Sequence, residues 1–477
     1  MEIKAEKPTQ SILEQVFEKQ KKRSLTLRSE SLKNRIARLK GLESWIISNR
    51  ERIKNAVHSD FKKPLLEVDT SEIYPVLTEI RHALNHIEEW TRPKKVDATL
   101  SYIGTRSEIR YEPKGVCLII APWNFPFNLC VGPLTSCLAA GNTAIIKPSE
   151  ITPATAQLLR EMMKEIFEED IVTVIEGGAE VSQTLLEFPF DHIFFTGSPS
   201  IGKVVMKAAA KHLTSITLEL GGKSPAIIDA SANLRDAAKR IAFGKFMNNG
   251  QTCIAPDYIL IEEPSKQKFV DLLKIEIQKL FGDGGMITEN SSSYARIIDN
   301  KNFQRVSDLL KDAVERGATP EVMGTINDKA NFIPPVILNN VTLGSKILEE
   351  EIFGPLLPVV TYKNKEEIIR MVNDRPKPLA LYIFSQKKSF REYILANTTA
   401  GGVCINECIL QFTHPNLPFG GVNNSGIGKS HGYYGFLAFS NEKPILRQKN
   451  GWSAPYLLHP PYTGKMKKIV ALLLRWF

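Results

Sequence analysis

Two short stretches carry side chains whose types could do covalent chemistry. Leu218-Glu219-Leu220-Gly221-Gly222-Lys223-Ser224-Pro225 sets one carboxylate beside a Gly-Gly pair, where no side chain crowds a ligand. Gly250-Gln251-Thr252-Cys253 sets one thiol just after a glycine turn. A thiol that attacks and a carboxylate that activates water suit the formation and hydrolysis of a thioester. Taken alone, the two also read as a buried structural cysteine and a helix-capping acid.

Three further stretches add to this pair. Ala121-Pro122-Trp123-Asn124-Phe125-Pro126 follows an apolar run and holds an amide side chain between two prolines that stiffen the loop. Phe194-Phe195-Thr196-Gly197-Ser198-Pro199-Ser200-Ile201-Gly202 reads as a strand, a glycine turn and the start of a helix. Glu351-Ile352-Phe353-Gly354-Pro355 follows a run of acids. In this order the five motifs resemble the aldehyde dehydrogenase superfamily, from about residue 10 to about residue 445. Lys147-Pro148-Ser149-Glu150, Leu379-Ala380-Leu381-Tyr382-Ile383-Phe384-Ser385 and the short amino-terminal region look most like the class 3 branch, which includes the fatty aldehyde dehydrogenases.

The resemblance implies an α/β protein with a Rossmann-like cofactor domain from 1–80 and 107–219 and an α/β catalytic domain from 220–397. A small β oligomerisation arm would come from 81–106 and 398–445, ahead of a carboxyl-terminal tail from 446–477. Cys253 would be the nucleophile, Asn124 with a backbone N–H would hold the alkoxide, and Glu219 would be the hydrolytic base. The expected cofactor is NAD, with NADP possible. No GxGxxG follows the first strand; Gly197 and Gly202 open a later helix whose N-terminus can take a pyrophosphate. Trp123, Thr196, Gly197, Ser198, Pro199, Ser200, Ile201 and Gly202 are the expected residues there, with Lys147 and Glu150 at the adenosine ribose. Glu351 and Phe353 would hold the nicotinamide ribose and ring. The implied reaction turns medium- or long-chain aliphatic aldehydes, or aromatic ones, into acids, in a homodimer. A non-catalytic structural relative is disfavoured by the presence of Cys253, Glu219 and Asn124, and a coenzyme A-acylating one by Glu219.

Composition sets the bounds. With 477 residues, 43% hydrophobic and 24% charged, the chain is globular and long enough for more than one domain. The net charge of +9 is spread along the chain without aromatic-basic interleaving, so nucleic acid is not an expected partner. Cys117, Cys130, Cys137, Cys404 and Cys408 sit in apolar runs with no CxxC pair, which suits core positions in a reducing, cytoplasmic setting. His82 and His86 have i,i+4 spacing but no third ligand nearby, so no metal is expected. Gly426-Ile427-Gly428-Lys429-Ser430 resembles the end of a P-loop, yet its first glycine would fall on Asn423 and no apolar strand precedes it.

The elements that must position these residues are legible from periodicity. Apolar residues at three and four spacing make 10–60 helical. From 114 onward the apolar runs 115–120, 143–146, 171–175 and 192–196 alternate with helical segments near 153–168, 178–187 and 199–212. That alternation predicts a parallel sheet with ligands at the carboxyl ends of its strands, and 225–229, 258–261 and 358–361 repeat it less cleanly. At the end, Lys465-Met466-Lys467-Lys468 leads into Ile469–Leu474 and then Arg475-Trp476-Phe477. A nine-residue helix there would reach about 14 Å, against roughly 30 Å of bilayer hydrocarbon. It suits shallow insertion at an anionic surface, or docking on its own subunit or its mate.

Overall fold

The computed structural model describes residues 8–97, 102, 104–451, 456 and 459–476. Its first sheet is built from runs such as Val116-Cys117-Leu118-Ile119-Ile120 and Thr143-Ala144-Ile145-Ile146-Lys147, buried throughout. Continuous apolar strands of this kind belong in a parallel sheet covered on both faces. The order is Gly426–Ile427, Ser215–Glu219, His192–Thr196, Val116–Ile120, Thr143–Lys147, Val172–Val174, parallel except at the Gly426–Ile427 edge. Helix Gln10–Leu27 packs its Leu13, Val16 and Phe17 on one face of the sheet, while Asn128–Ala140 and Pro153–Ile166 cover the other.

The helical region expected over 10–60 is three helices, Gln10–Leu27, Leu32–Ser48 and Arg50–Phe61. Thr9 caps the first through a bond from Ile12 N, and Lys62, in the left-handed region at φ 58°, ends the third. Helix Tyr74–Thr91 follows and runs through the expected boundary at residue 81.

A seven-stranded sheet runs Thr319–Val322, Val336–Asn339, Leu356–Tyr362, Tyr258–Glu262, Pro225–Ile228, Ala380–Phe384, Gly402–Ile405, again parallel beyond its first strand. Lys94–Val96, Thr105–Pro113 and Ser440–Gln448 form a separate antiparallel sheet. Strand pairing therefore distributes 398–445 over all three sheets. The tail helix, Gly464–Trp476, is 13 residues long where nine were expected, and Phe477 lies outside the described residues. Among the described residues no helix is long and apolar enough to cross a membrane.

One buried ion pair ties the segments after Glu219 and Cys253 to the one that carries Glu351. Lys223 Nζ donates to the Asp257 carboxylate and to the carbonyls of Ile347 (2.7 Å) and Glu350 (2.8 Å). Asp257 Oδ1 accepts Ile352 N at 3.1 Å, and both charged side chains are only 5% exposed. Removing one member of such a pair leaves a bare buried charge. Lys223→Met is thus expected to cost about 3–5 kcal/mol and lower the thermal midpoint by roughly 6 °C or more. Asp257→Leu should cost at least as much, because the carboxylate also faces the wholly buried Lys245 Nζ at 3.9 Å. An unchanged midpoint in either variant would mean that the pair does not hold the fold.

Candidate active site

Glu219 is the last residue of its strand, where side chains leave the sheet. Its neighbours fix it from both sides, Thr196 in parallel register and Gly426 in antiparallel register, and Gly197 N donates to its carbonyl at 3.0 Å. Ser430 Oγ donates to Glu219 Oε1 at 2.9 Å, whereas Oε2 is buried with no protein partner. Burial pushes this carboxyl up to about 7, with the Ser430 bond and the charges of His431 and Lys429 pulling the other way. A carboxylate poised near neutrality with one free oxygen can take a proton from water.

Cys253 follows a kinked turn, Met247–Gly250, in which Asn248 and Asn249 adopt φ of 53° and 56°. Gly250 has φ 74°, and a Cβ there would stand 2.3 Å from the Gly354 carbonyl oxygen. Only glycine meets both demands, so the turn carrying the thiol is seated directly on the Glu351–Pro355 motif. Gln251 Nε2 bonds the carbonyls of Asn248 (3.0 Å) and Arg296 (2.9 Å), which closes the turn. Cys253 and Glu219 line one cavity with Leu129, Phe194, Phe412, Phe419 and His431. Burial, and then the negative charges of Glu351 and Glu219, push the Cys253 thiol up to about 12.

Asn124 is 2% exposed and donates one amide N–H to Gln251 O at 3.0 Å. A primary amide has two N–H groups, so one remains free to meet an oxyanion beside Cys253. Its own carbonyl accepts Asn248 Nδ2 at 2.9 Å and Lys63 Nζ at 3.3 Å.

The cofactor candidates fall into two groups. Ser198 caps helix Pro199–Ala209, accepting Ile201 N at 3.4 Å and pairing with Ser200 Oγ at 2.9 Å, and Gly202 N closes on Ser198 O at 2.9 Å. No acid occupies that first turn, and Ile201 is half exposed, so the helix end fits a pyrophosphate flanked by an apolar ring. Lys147 Nζ bonds Pro148 O (2.7 Å) and the exposed Glu150 carboxylate (3.1 Å). In the second group Trp123 and Phe353 meet edge to face at 5.4 Å, with Phe353 at φ 45°. The Glu351 carboxyl lies over Gly221, where a Cβ would come within 2.0 Å of Oε2, and it accepts the Gly222 N–H. Burial and then the Asp257 charge push Glu351 up to about 8.

Sequence reasoning overlooked Ser430, because Gly426–Ser430 was weighed only as a P-loop; no local signal marks its pairing with Glu219. It also overlooked His431, whose Nδ1 lies 3.5 Å from the buried Glu79 carboxylate. His82 and His86 stack on one another and on Trp90, and among the described residues no group of three His, Cys, Asp or Glu could hold a metal. All six cysteines are free; Cys117, Cys130, Cys137 and Cys408 are buried and Cys404 partly so.

Comparison with known proteins gives the family and the fold. The Aldehyde dehydrogenase family profile matches residues 3–445. A 4,4'-diaponeurosporen-aldehyde dehydrogenase of Staphylococcus aureus is 41% identical, over 97% of this chain and 99% of its own. Aldehyde dehydrogenase family 3 member A2 of Rattus norvegicus is 41% identical, over 91% and 88%. A solved structure described as the substrate-bound state of Staphylococcus aureus AldH superposes with a TM-score of 0.92 at 40% identity, covering 97% of this chain and 99% of that one. The chain belongs to the aldehyde dehydrogenase family, whose members oxidise aldehydes with NAD or NADP.

Proposed function

We propose that this aldehyde-oxidising enzyme works through a thioester on Cys253 and favours aldehydes with an apolar chain. The observation that carries the reading is the shared cavity: Cys253 and Glu219 both line it, with Leu129, Phe194, Phe412 and Phe419, and Glu219 Oε2 has no protein partner. The Cys253 thiol gives its proton to a water molecule, the thiolate sulfur bonds to the aldehyde carbon, and the carbonyl π pair moves to oxygen. Asn124 Nδ2 and the Cys253 N–H hold that oxyanion; losing one such donor typically costs about 3–4 kcal/mol of barrier. When bound, oxidised NAD(P) accepts the hydride that leaves this carbon and brings a positive charge to the cleft. Glu219 Oε2 then takes a proton from water as the water oxygen attacks the thioester, the C–S bond breaks, and the acid departs. A hydrolytic base inside the cavity argues against delivery of the acyl group to coenzyme A, and the presence of all three reacting groups argues against a purely structural role.

Glu219→Gln should slow hydrolysis by about 10²–10⁴ while sparing hydride transfer, so that a stoichiometric burst of NAD(P)H precedes a slow steady state. Because the active form is the carboxylate, hydrolysis in the parent enzyme should rise with pH through a midpoint near 7 and lose that step in the variant. A burst that disappears together with turnover would place Glu219 earlier in the reaction.

NAD is the proposed cofactor, since the exposed Glu150 carboxylate accepts a ribose hydroxyl and repels a 2′-phosphate. Glu150→Gln should therefore move the NAD+/NADP+ ratio of kcat/KM towards NADP+ by about tenfold, the worth of one charge contact near 1.4 kcal/mol. A ratio that does not move removes Glu150 from the ribose.

The enzyme is further proposed to be a cytoplasmic homodimer, with its antiparallel sheet as the arm and its tail on an anionic membrane surface. Helix Gly464–Trp476 carries Lys465, Lys467, Lys468 and Arg475, no acid, and exposed Leu472 and Leu474. Each cation adds about 1 kcal/mol of attraction to anionic lipid. Deleting 465–477 should release the protein from anionic vesicles and lower activity on vesicle-borne hexadecanal, with short soluble aldehydes oxidised as before. Full-length protein that never co-sediments with the vesicles would make the tail a docking helix instead.

A further inference from the structure

A second buried ion pair lies outside the cavity that Cys253 and Glu219 line. Lys63 Nζ and Glu72 Oε1 are 2.8 Å apart, and both side chains are wholly buried. Taking two such charges out of water costs several kcal/mol per ion, offset only where further hydrogen bonds use the remaining capacity of each. Here the further hydrogen bonds of both go to one segment, while the Glu67 carboxyl also faces the ammonium. Lys63 Nζ donates to Asn124 O at 3.3 Å and stands 3.9 Å from the centre of the Phe125 ring. Glu72 Oε2 accepts Asn128 N at 2.9 Å, and the carboxylate also takes the Phe127 N–H. The carboxylate therefore caps the start of helix Asn128–Ala140 and the ammonium grips the loop before it.

The backbone around both residues is irregular. Lys63 follows left-handed Lys62, and Glu72 lies in a π-helical turn, Asp69–Ile73. Such turns are uncommon and re-aim side chains. The segment they hold, 121–127, has no strand or helix of its own and carries two prolines. Neither Lys63 nor Glu72 lines the cavity with Cys253 and Glu219.

We propose that Lys63 and Glu72 are positioning residues that act through Asn124, holding its amide in register with the turn that carries Cys253. This rests on Asn124 as the oxyanion donor. The bond to Gln251 O sets the Asn124 side-chain amide, while Lys63 and Asn248, both bonded to its main-chain carbonyl, fix the backbone that carries it. Loss of the Lys63 contact frees the loop without touching the substrate.

The test is a double-mutant cycle read by single-turnover hydride transfer, with KM for aldehyde as the second readout. Asn124→Ala should lower the rate by about 10²–10³. Lys63→Met should lower it by about 10–100-fold with KM within about twofold, since a loosened donor is lost only in the transition state. Lys63→Met added to Asn124→Ala should then cost nothing more, because its target is gone. Glu72→Gln, which keeps the acceptor for Asn128 N, should lose less than Lys63→Met. If Lys63→Met folds poorly, the uncharged pair Lys63→Met/Glu72→Gln supplies the same cycle, since it removes both charges and keeps an acceptor for Asn128 N. Effects that multiply across the cycle, or a rate unchanged in the single variant, overturn the proposal by making the pair structural only. An active Asn124→Ala enzyme instead overturns the oxyanion reading beneath it.

Discussion

The pairing of Lys223 with Asp257 is the contact on which the rest of the site depends. Lys223 lies four residues past Glu219, and Asp257 four past Cys253. Their contact therefore locks the motifs that carry Glu219 and Cys253 at a fixed separation. The same two side chains bind the backbone at Ile347, Glu350 and Ile352, so the segment carrying Glu351 and Phe353 joins the lock. Arg305 reinforces it through the carbonyls of Glu351 (3.2 Å) and Ile352 (2.6 Å). A hydrophobic contact could hold these segments together as tightly, but it would not fix their register, because dispersion has no direction. Charge-assisted hydrogen bonds do.

The electrostatics of the cavity are arranged around carboxyls in a dry setting. Desolvation makes Glu219 and Glu351 weak acids, titrating near 7 and near 8. Their negative charges in turn make the Cys253 thiol a weaker acid. Below these values both carboxyls are neutral and the repulsion on a thiolate vanishes; above them it is fully present. Above about 8, where both carboxyls are ionised, Cys253 stands beside two negative charges, which suits a cationic partner. The acid-free, serine-capped end of helix Pro199–Ala209 suits an anionic one. A dinucleotide with a cationic ring and a pyrophosphate presents both.

Much of the fold was legible because it is written in local periodicity. The apolar runs expected at 115–120, 143–146, 171–175 and 192–196 are strands within a residue or two, since strands buried on both faces leave an unbroken apolar signature. The breaks inside 10–60 were not visible. Residues 28–31 carry no glycine or proline, and the left-handed stop at Lys62 is taken by a residue with no preference for it. The tail helix ran longer than its apolar core because Gly464 to Lys468 extend it as a basic first turn.

The sequence by itself determined which residue types were available for chemistry: a thiol after a glycine turn, a carboxylate beside Gly-Gly, an amide between prolines. It also determined which side of a parallel sheet would present them. Only the tertiary structure decided how they are held. Ser430 reaches Glu219 because Gly426 pairs with the edge of the first sheet. Gly250 rests on Gly354 because the two catalytic segments close against each other, and Lys63 reaches Asn124 from the far side of the amino-terminal helices. Periodicity reports which face of an element is buried. It carries no information about which distant segment covers that face, and the contacts of Ser430 with Glu219, Lys63 with Asn124 and Lys223 with Asp257 are made between such segments.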